Sequence, residues 1–376
     1  MRILFFTDRY HPNLQGFVTG LLDVGHEVGM IAYTAWDDEH YDPRMHYEQL
    51  KPARLYADLF FKSGRPPCRY TVPNIVALNR SLNAFQPDVV VLKYISLPIL
   101  FLNALCRIKR IRTVLYSPRS PHPTVKHRIR YRILSHMGLL PKNYFLVAIG
   151  GHTHQLLPNE TCLPYAIQPD ERAANRTYRD TRPLRILSVG KLVEQRKNND
   201  MLIRTLAPDL KSGRARLTII GRKGRENDVY HQLIQEISDH GVSDYVTLLA
   251  NLPRDECLDA YLDHDLFVLP ATGETAGMVI LEAMAAGLPV ICSDKAGLSI
   301  CVEDGITGLT FQDNDATDLH RKIAYFLDRP AEARRMGQHA FARVHEYYTP
   351  AAFVARFENL LATWFGWQDS DAGRTD

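Results

Sequence analysis

Residues 266–292 read Leu266-Phe-Val-Leu-Pro270-Ala-Thr-Gly-Glu274-Thr-Ala-Gly277-Met-Val-Ile-Leu-Glu282-Ala-Met-Ala-Ala-Gly287-Leu-Pro289-Val-Ile-Cys292. The order predicts a strand (266–269), a glycine-containing loop, a helix (277–286), a glycine stop and a second strand (289–292). Two apolar strands joined through a helix are the unit of a parallel sheet. The first backbone N–H groups of such a helix, at Gly277, Met278 and Val279, lack intrahelical acceptors, and the helix dipole favours an anion such as a diphosphate there. Glu274 stands before the helix and Glu282 within it, so both can address one ligand. Carboxylates accept hydrogen bonds from sugar hydroxyls but do not hold phosphate without a metal. A plainer reading makes Glu274 a helix N-terminal acid and Glu282 a surface charge.

The same alternation extends outward. Strand patterns at 184–189, 216–220 and 245–249 are separated by helical patterns at 199–206, 226–240 and 255–263. Near the N-terminus, strands at 2–7 and 26–33 flank a loop at 12–16 and a short helix ending at Gly25, and further strands follow at 89–92, 112–116 and 144–149. The polar stretch 168–182 reads as a linker. The fold class is therefore α/β in two domains, 1–170 and 183–350, with a last helix and tail over 351–376. The ligand site is expected between the domains, at the carboxyl ends of the strands.

The length of 376 residues fits two domains. With 45% hydrophobic and 23% charged residues, a disordered, collagenous or coiled-coil chain is excluded. The longest apolar stretch, 95–105, is broken by Pro98 and Asn103 and is too short to span a bilayer. The N-terminus lacks the pattern of a signal peptide. Six cysteines without CxxC spacing encode neither a disulfide framework nor a zinc site, so a cytoplasmic protein is expected. Net charge divides unevenly. Residues 1–180 hold 23 Lys and Arg against 14 Asp and Glu, a balance of +9, and the remainder stands at −6. The basic half should attract an anionic partner.

A second signal is Ser188-Val-Gly190-Lys191-Leu-Val-Glu-Gln-Arg196-Lys197-Asn198, where a glycine ends a strand and cations follow it. Fixed cations there can stabilise the charge of a departing diphosphate without a metal. The two stretches together resemble the retaining glycosyltransferases of family 4 (the glycogen-synthase-like group, glycosyl transferases group 1), which have the GT-B fold of two Rossmann-like domains facing across a cleft. Glu274 and Glu282 meet the family's Glu-x7-Glu spacing, and Lys191 and Lys197 approximate its Arg-x5-Lys. Runs at 217–221, 244–249, 264–270 and 302–309 also resemble it, and the N-terminal half does so more weakly.

The resemblance implies a nucleotide-sugar donor, linked to UDP or GDP, and neither cofactor nor metal. Glu274 would contact the transferred sugar and Glu282 the ribose. Lys191, Lys197, Arg196 and the amides of Gly277, Met278 and Val279 would hold the diphosphate beside Gly190. Gly16 would approach the donor from the N-terminal loop, the base would lie near Gly221, Arg222 and the stretch from Leu249 to Leu252, and His122 would stand near the reacting sugar. The last helix would return to the N-terminal domain. The chain departs from the family in having Lys191 for the usual Arg, which removes bidentate phosphate geometry, one glycine in the N-terminal loop, and Glu-Thr-Ala-Gly at 274–277. The implied activity is transfer to a glycan, lipid-linked or small-molecule acceptor in polysaccharide or glycoconjugate biosynthesis. An epimerase or hydrolase on the same fold, or a non-catalytic nucleotide-sugar-binding subunit, are the alternatives.

Residues 89–159 carry eleven Lys and Arg and no acid. On a helix, Lys126, Arg128, Arg130 and Arg132 would be solvated while Ile129, Ile133 and Leu134 face inward. Such a segment suits an anionic membrane surface, where each basic residue contributes about 1 kcal/mol, or a phosphate-bearing acceptor, and it equally fits a basic face that meets only solvent. Nucleic acid is disfavoured because aromatic interleaving is poor. Asp-x-Asp pairs at 263/265, 313/315 and 369/371 are read as chance matches to a metal motif.

Overall fold

The computed structural model describes residues 1–34, 41–50, 74–93, 96–117, 125–146, 160–178, 183–224 and 228–366. Two compact units emerge from the packing. The first comprises 1–147, 155–166 and 350–376, and the second 148–154 and 167–349.

The first unit is built on a parallel sheet of β1 (Arg2–Arg9), β2 (Glu27–Thr34), β3 (His46–Gln49), β4 (Val89–Lys93), β5 (Arg112–Ser117), β6 (Tyr144–Leu146) and β7 (Glu160–Cys162). Its order is β3-β2-β1-β4-β5-β6-β7. Every residue of β4 is buried, as expected of a central strand covered on both faces. The helices are α1 (Gln15–Asp23), α2 (Ile75–Phe85), α3 (Leu97–Ile108), α4 (Val125–His136) and the C-terminal α11 (Pro350–Phe365). Phe17 of α1 fixes α11 by ring contacts to Phe353 at 4.3 Å and Phe357 at 4.9 Å. Gly20 permits the approach, because a Cβ there would meet Pro350 and Val354 at 3.0 Å. His26 closes the pair on Glu358 at 2.7 Å. The 12–16 segment differs from its expectation as an open loop. Residues Pro12–Leu14 form a 3₁₀ turn, and Gly16 already lies in the first turn of α1.

The second unit has a six-stranded parallel sheet of β8 (Leu184–Val189), β9 (Ala215–Gly221), β10 (Val246–Ala250), β11 (Leu266–Leu269), β12 (Val290–Ser293) and β13 (Gly308–Phe311). Its order is β10-β9-β8-β11-β12-β13. Helices α5 (Asn199–Lys211), α6 (Asp228–Asp239), α7 (Arg254–Asp263), α8 (Met278–Ala285), α9 (Ala316–Asp328) and α10 (Pro330–Tyr347) complete it. The strand order reverses between β8 and β11, and their carboxyl ends therefore flank the crevice where α/β sheets bind ligands.

The segment 168–178 is not the free linker its polarity predicts. Ala173 is buried, and the Arg176 guanidinium donates to the carbonyls of Tyr261 at 2.8 Å, Ala286 at 2.9 Å and His264. Tyr178 donates to the Gly287 carbonyl at 2.8 Å. The arginine takes up carbonyls at the C-terminal ends of α7 and α8 that helix geometry leaves open, so the polar residues are consumed by packing. Burial lowers the Arg176 pKa from its ordinary value, with neighbouring Tyr178 and Asp265 opposing.

Candidate active site

Two loops at the β8/β11 switch point bring charged side chains together in the second unit. After β8, Gly190 leaves room for a lysine stem, since a Cβ there would lie 3.3 Å from Cδ of Lys197. Gly221 ends the neighbouring β9, where a Cβ would fall 1.7 Å from the Gly190 carbonyl oxygen. Only glycine fits so close a crossing of backbones. The chain then forms a 3₁₀ turn over Gln195–Lys197, and Asn198 adopts a left-handed conformation (φ 52°) to start α5.

After β11, residues 270–277 form the facing loop. Gly277 has φ 78° as the residue preceding α8, and the N–H groups of Met278 and Val279 open the helix. The loop is clamped at several points. Thr272 donates its N–H to Arg196 O at 2.9 Å and its hydroxyl to Asp313 at 2.6 Å. Ser293 donates to the other Asp313 oxygen at 2.7 Å. Gly297 and Leu298 donate N–H groups to the carbonyls of Glu274 at 2.9 Å and Ala276 at 2.7 Å.

Glu274 sits at the centre of the arrangement. Its Oε2 accepts from Arg196 Nη1 at 2.7 Å and from Lys197 Nζ, and the side chains of Glu274 and Lys197 are each only 10% exposed. Burial pushes the Glu274 carboxyl pKa up, but Lys197 and Arg196 outweigh it and hold the group below the usual carboxylate range. Arg196 also pairs with Glu194, whose Oε1 lies 3.3 Å from Lys191 Nζ. Lys191 is 62% exposed and does not reach Glu274. The cations that meet Glu274 are thus Lys197 and Arg196.

Beside these loops lies a cavity of about 660 Å³ at the carboxyl ends of β8, β9 and β10, lined by Gly190, Lys191, Gly221, Arg222, Asn251 and Cys257 among others. Asn251 is left-handed (φ 59°) and accepts the Lys223 N–H at 2.8 Å. Leu249 lies within β10 and does not line the cavity, whereas Leu252 does. Glu282, on α8, accepts from the buried Tyr261 hydroxyl at 3.0 Å. Burial of its carboxyl raises its pKa, with Arg254 opposing. The Glu282 charge acts on Cys257 of the cavity wall, where it adds to burial in raising the thiol pKa to about 11.

Sequence reasoning thus named Glu274, Lys197, Arg196, Gly190, Gly221 and Arg222, which the fold brings to one end of one sheet. It missed Glu194 and Tyr261, and it read Asp313 only as part of a chance Asp-x-Asp match. Asn251 falls within the stretch 249–252 placed near the base, an asparagine at a strand end before Leu-Pro, a residue type that tolerates the left-handed region. Gly16 belongs to the first unit. His122 lies outside the described residues. Of the Asp-x-Asp pairs, Asp265 is held by Arg185 at 2.9 Å and Asp313 by the two hydroxyls above, and 369/371 lies outside the described residues.

Residues 170–343 match the sequence profile of the family described as glycosyl transferases group 1. The match spans nearly all of the 167–349 segment of the second unit, which is similar to that family. The chain is 29% identical over 236 residues to the D-inositol 3-phosphate glycosyltransferase of Corynebacterium aurimucosum, covering 61% of this chain and 53% of that one. It thus spans about half the length of the relatives of that name. It is 27% identical to the amylovoran biosynthesis glycosyltransferase AmsK of Erwinia amylovora, covering 85% and 89%. Among solved structures, Anabaena Alr3699/HepE in complex with UDP is similar with a TM-score of 0.69 at 14% identity, over 96% of this chain and 100% of that one. Both units are Rossmann-like, and the fold is GT-B.

Proposed function

We propose that the protein is a retaining, metal-independent glycosyltransferase that moves a sugar from a nucleoside-diphosphate donor, linked to UDP or GDP, to a glycan, lipid-linked or small-molecule acceptor. The observation that carries this reading is the Glu274 carboxylate held between Lys197 and Arg196 beside the opening of α8. Without ligand, the carboxylate neutralises the two cations. A diphosphate arriving at the N–H groups of Met278 and Val279 takes over Lys197 and Arg196, and Glu274 is freed to accept hydrogen bonds from the sugar hydroxyls. The base occupies the cavity at Arg222 and Asn251, and Glu282, oriented by Tyr261, receives the ribose.

As the bond to the sugar breaks, charge builds on the leaving phosphate, where the cations and helix N-terminus are already oriented. The acceptor attacks from the leaving-group face and its proton passes to the departing phosphate, so the anomeric configuration is retained. The names of the relatives and the UDP complex of the similar structure support a nucleotide-sugar donor. Among the described residues no helix is long and apolar enough to cross a membrane, and we place the enzyme in the cytoplasm, with peripheral membrane contact through its basic N-terminal half.

The test is incubation with sugar nucleotides and acceptors in EDTA, reading nucleoside diphosphate release and the anomeric proton of the product by NMR. Retained configuration and undiminished rate support the proposal. Inversion, or full dependence on an added metal, refutes it. Free sugar as the only product would assign a hydrolase.

A further inference from the structure

The basic segment of the first unit does not bury the isoleucines that its helical spacing predicts. Helix α4 is held by Tyr131, whose hydroxyl donates to Pro141 O at 2.8 Å, and by Ser135 on the same carbonyl. These residues form its buried side. Ile129 is 56% exposed and Ile133 54%, and Met137, in the turn after the helix, is 65% exposed. Positions 129, 133 and 137 recur every four residues and form one ridge. Exposed Arg130 flanks it on one side and exposed Arg132 on the other. The periodicity is that of an amphipathic helix, but the solvent side carries the large apolar groups.

Helix α3 contributes a second stripe. Leu97, Phe101 and Ile108 lie on its exposed face, and Ile108 is 80% exposed. Asn103 donates to Gly138 O at 2.8 Å, and the Arg107 guanidinium rests where a Gly138 Cβ would be, which ties the C-terminal end of α3 to the turn after α4. Six of the thirteen exposed large apolar side chains among the described residues fall within 97–137. Exposed apolar groups are therefore concentrated in this stretch of the sequence. Arg107, Arg110, Arg130 and Arg132 are exposed in the same segment, whose sequence from 89 to 159 holds no acid.

We infer that the exposed apolar ridge of α4, with its arginine flanks, is a docking surface for an anionic lipid bilayer. Isoleucine and methionine would enter the acyl boundary while arginines engage headgroup phosphates, the arrangement of interfacial helices. The charge pattern favours this partner over a two-fold dimer through the same ridge, which would bring arginine against arginine. The inference deepens the reading of a lipid-linked acceptor and rests on it only for its purpose. Vesicle binding is measured without donor or acceptor, so either reading can fail alone.

The test is flotation of the full chain with vesicles of phosphatidylcholine, with and without phosphatidylglycerol. The chain is expected to bind the anionic vesicles, to bind the neutral ones weakly, and to release as salt rises. Ile129→Ser/Ile133→Ser should weaken anionic-vesicle binding about ten-fold by removing apolar area from the bilayer contact. Arg130→Gln/Arg132→Gln should weaken it at least as much, roughly thirty-fold. Both variants change exposed groups, and an unaltered melting temperature verifies their fold. Tryptophan at position 133 (Ile133→Trp) should shift its emission to the blue on vesicle addition. Equal binding to both vesicle types, a serine variant that binds like the wild type, or a wild-type dimer that the serine variant abolishes would overturn the inference.

Discussion

Replacing Glu274 by glutamine keeps the shape of the side chain and removes its charge. Its Oε2 accepts two charge-assisted hydrogen bonds, from Arg196 at 2.7 Å and from Lys197. Bonds to charged groups contribute about 1.5–3 kcal/mol each, and the amide oxygen retains part of both, so the loss is roughly 1.5–3 kcal/mol. For a unit of this size that lowers the melting temperature by about 4–10 °C. The pH dependence has a fixed sign. The Glu274 carboxyl titrates below its ordinary value in the folded protein, so its contribution is complete above the unfolded-state pKa and lost as pH falls through the folded one. Melting curves of both proteins across about pH 7.5 to 2.5 should therefore show a gap that is constant at the upper end and narrows as pH falls below the ordinary glutamate pKa of about 4.3. The same exchange frees Lys197 and Arg196, so UDP should bind as tightly or more tightly while sugar transfer falls about a hundred-fold or more. A variant as stable as the wild type at neutral pH, or a gap indifferent to pH, would refute the ion-pair reasoning. Weakened UDP binding would refute the assignment of the cations to the diphosphate.

Gly221→Ala drives a Cβ to 1.7 Å from Gly190 O, so it should cost about 2–4 kcal/mol and weaken nucleotide binding together, read by melting and titration. Arg176→Met leaves three carbonyls without their donor, and denaturant unfolding should show a loss of roughly 3–5 kcal/mol. Tyr261→Phe removes the hydroxyl that orients Glu282. Steady-state kinetics should show the donor KM rising about five- to twenty-fold with kcat little changed.

How far the molecule could be read from sequence differs by element. Strands such as Leu184–Val189 and Leu266–Leu269 match their apolar runs residue for residue because both faces of a parallel sheet are covered. Edge strand His46–Gln49 has no such run, since it is paired on one side and exposed. Helix α10 escapes notice for another reason. Its buried positions include Ala333, Gly337 and Ala340, small residues that give weak periodicity yet pack closely. At the site, the spacing of Glu274 and Glu282 was visible, but the choice among Lys191, Arg196 and Lys197 was not. It depends on the turn over Gln195–Lys197 and on the space left by Gly190. The isoleucines of α4 show the limit of periodicity, which gives the angle between faces but not which face meets the core.

The central claim is that the second unit holds a nucleotide sugar at the β8/β11 switch point. The most direct measurement is a thermal-shift panel of UDP-, GDP-, ADP- and CMP-sugars on the purified protein. At a concentration about a hundred times Kd, binding adds about 2.7 kcal/mol and raises the melting temperature of a unit of this size by roughly 5–10 °C. The account predicts a rise of that order for one nucleotide class, lost in Gly221→Ala. No shift with any of the four would contradict it.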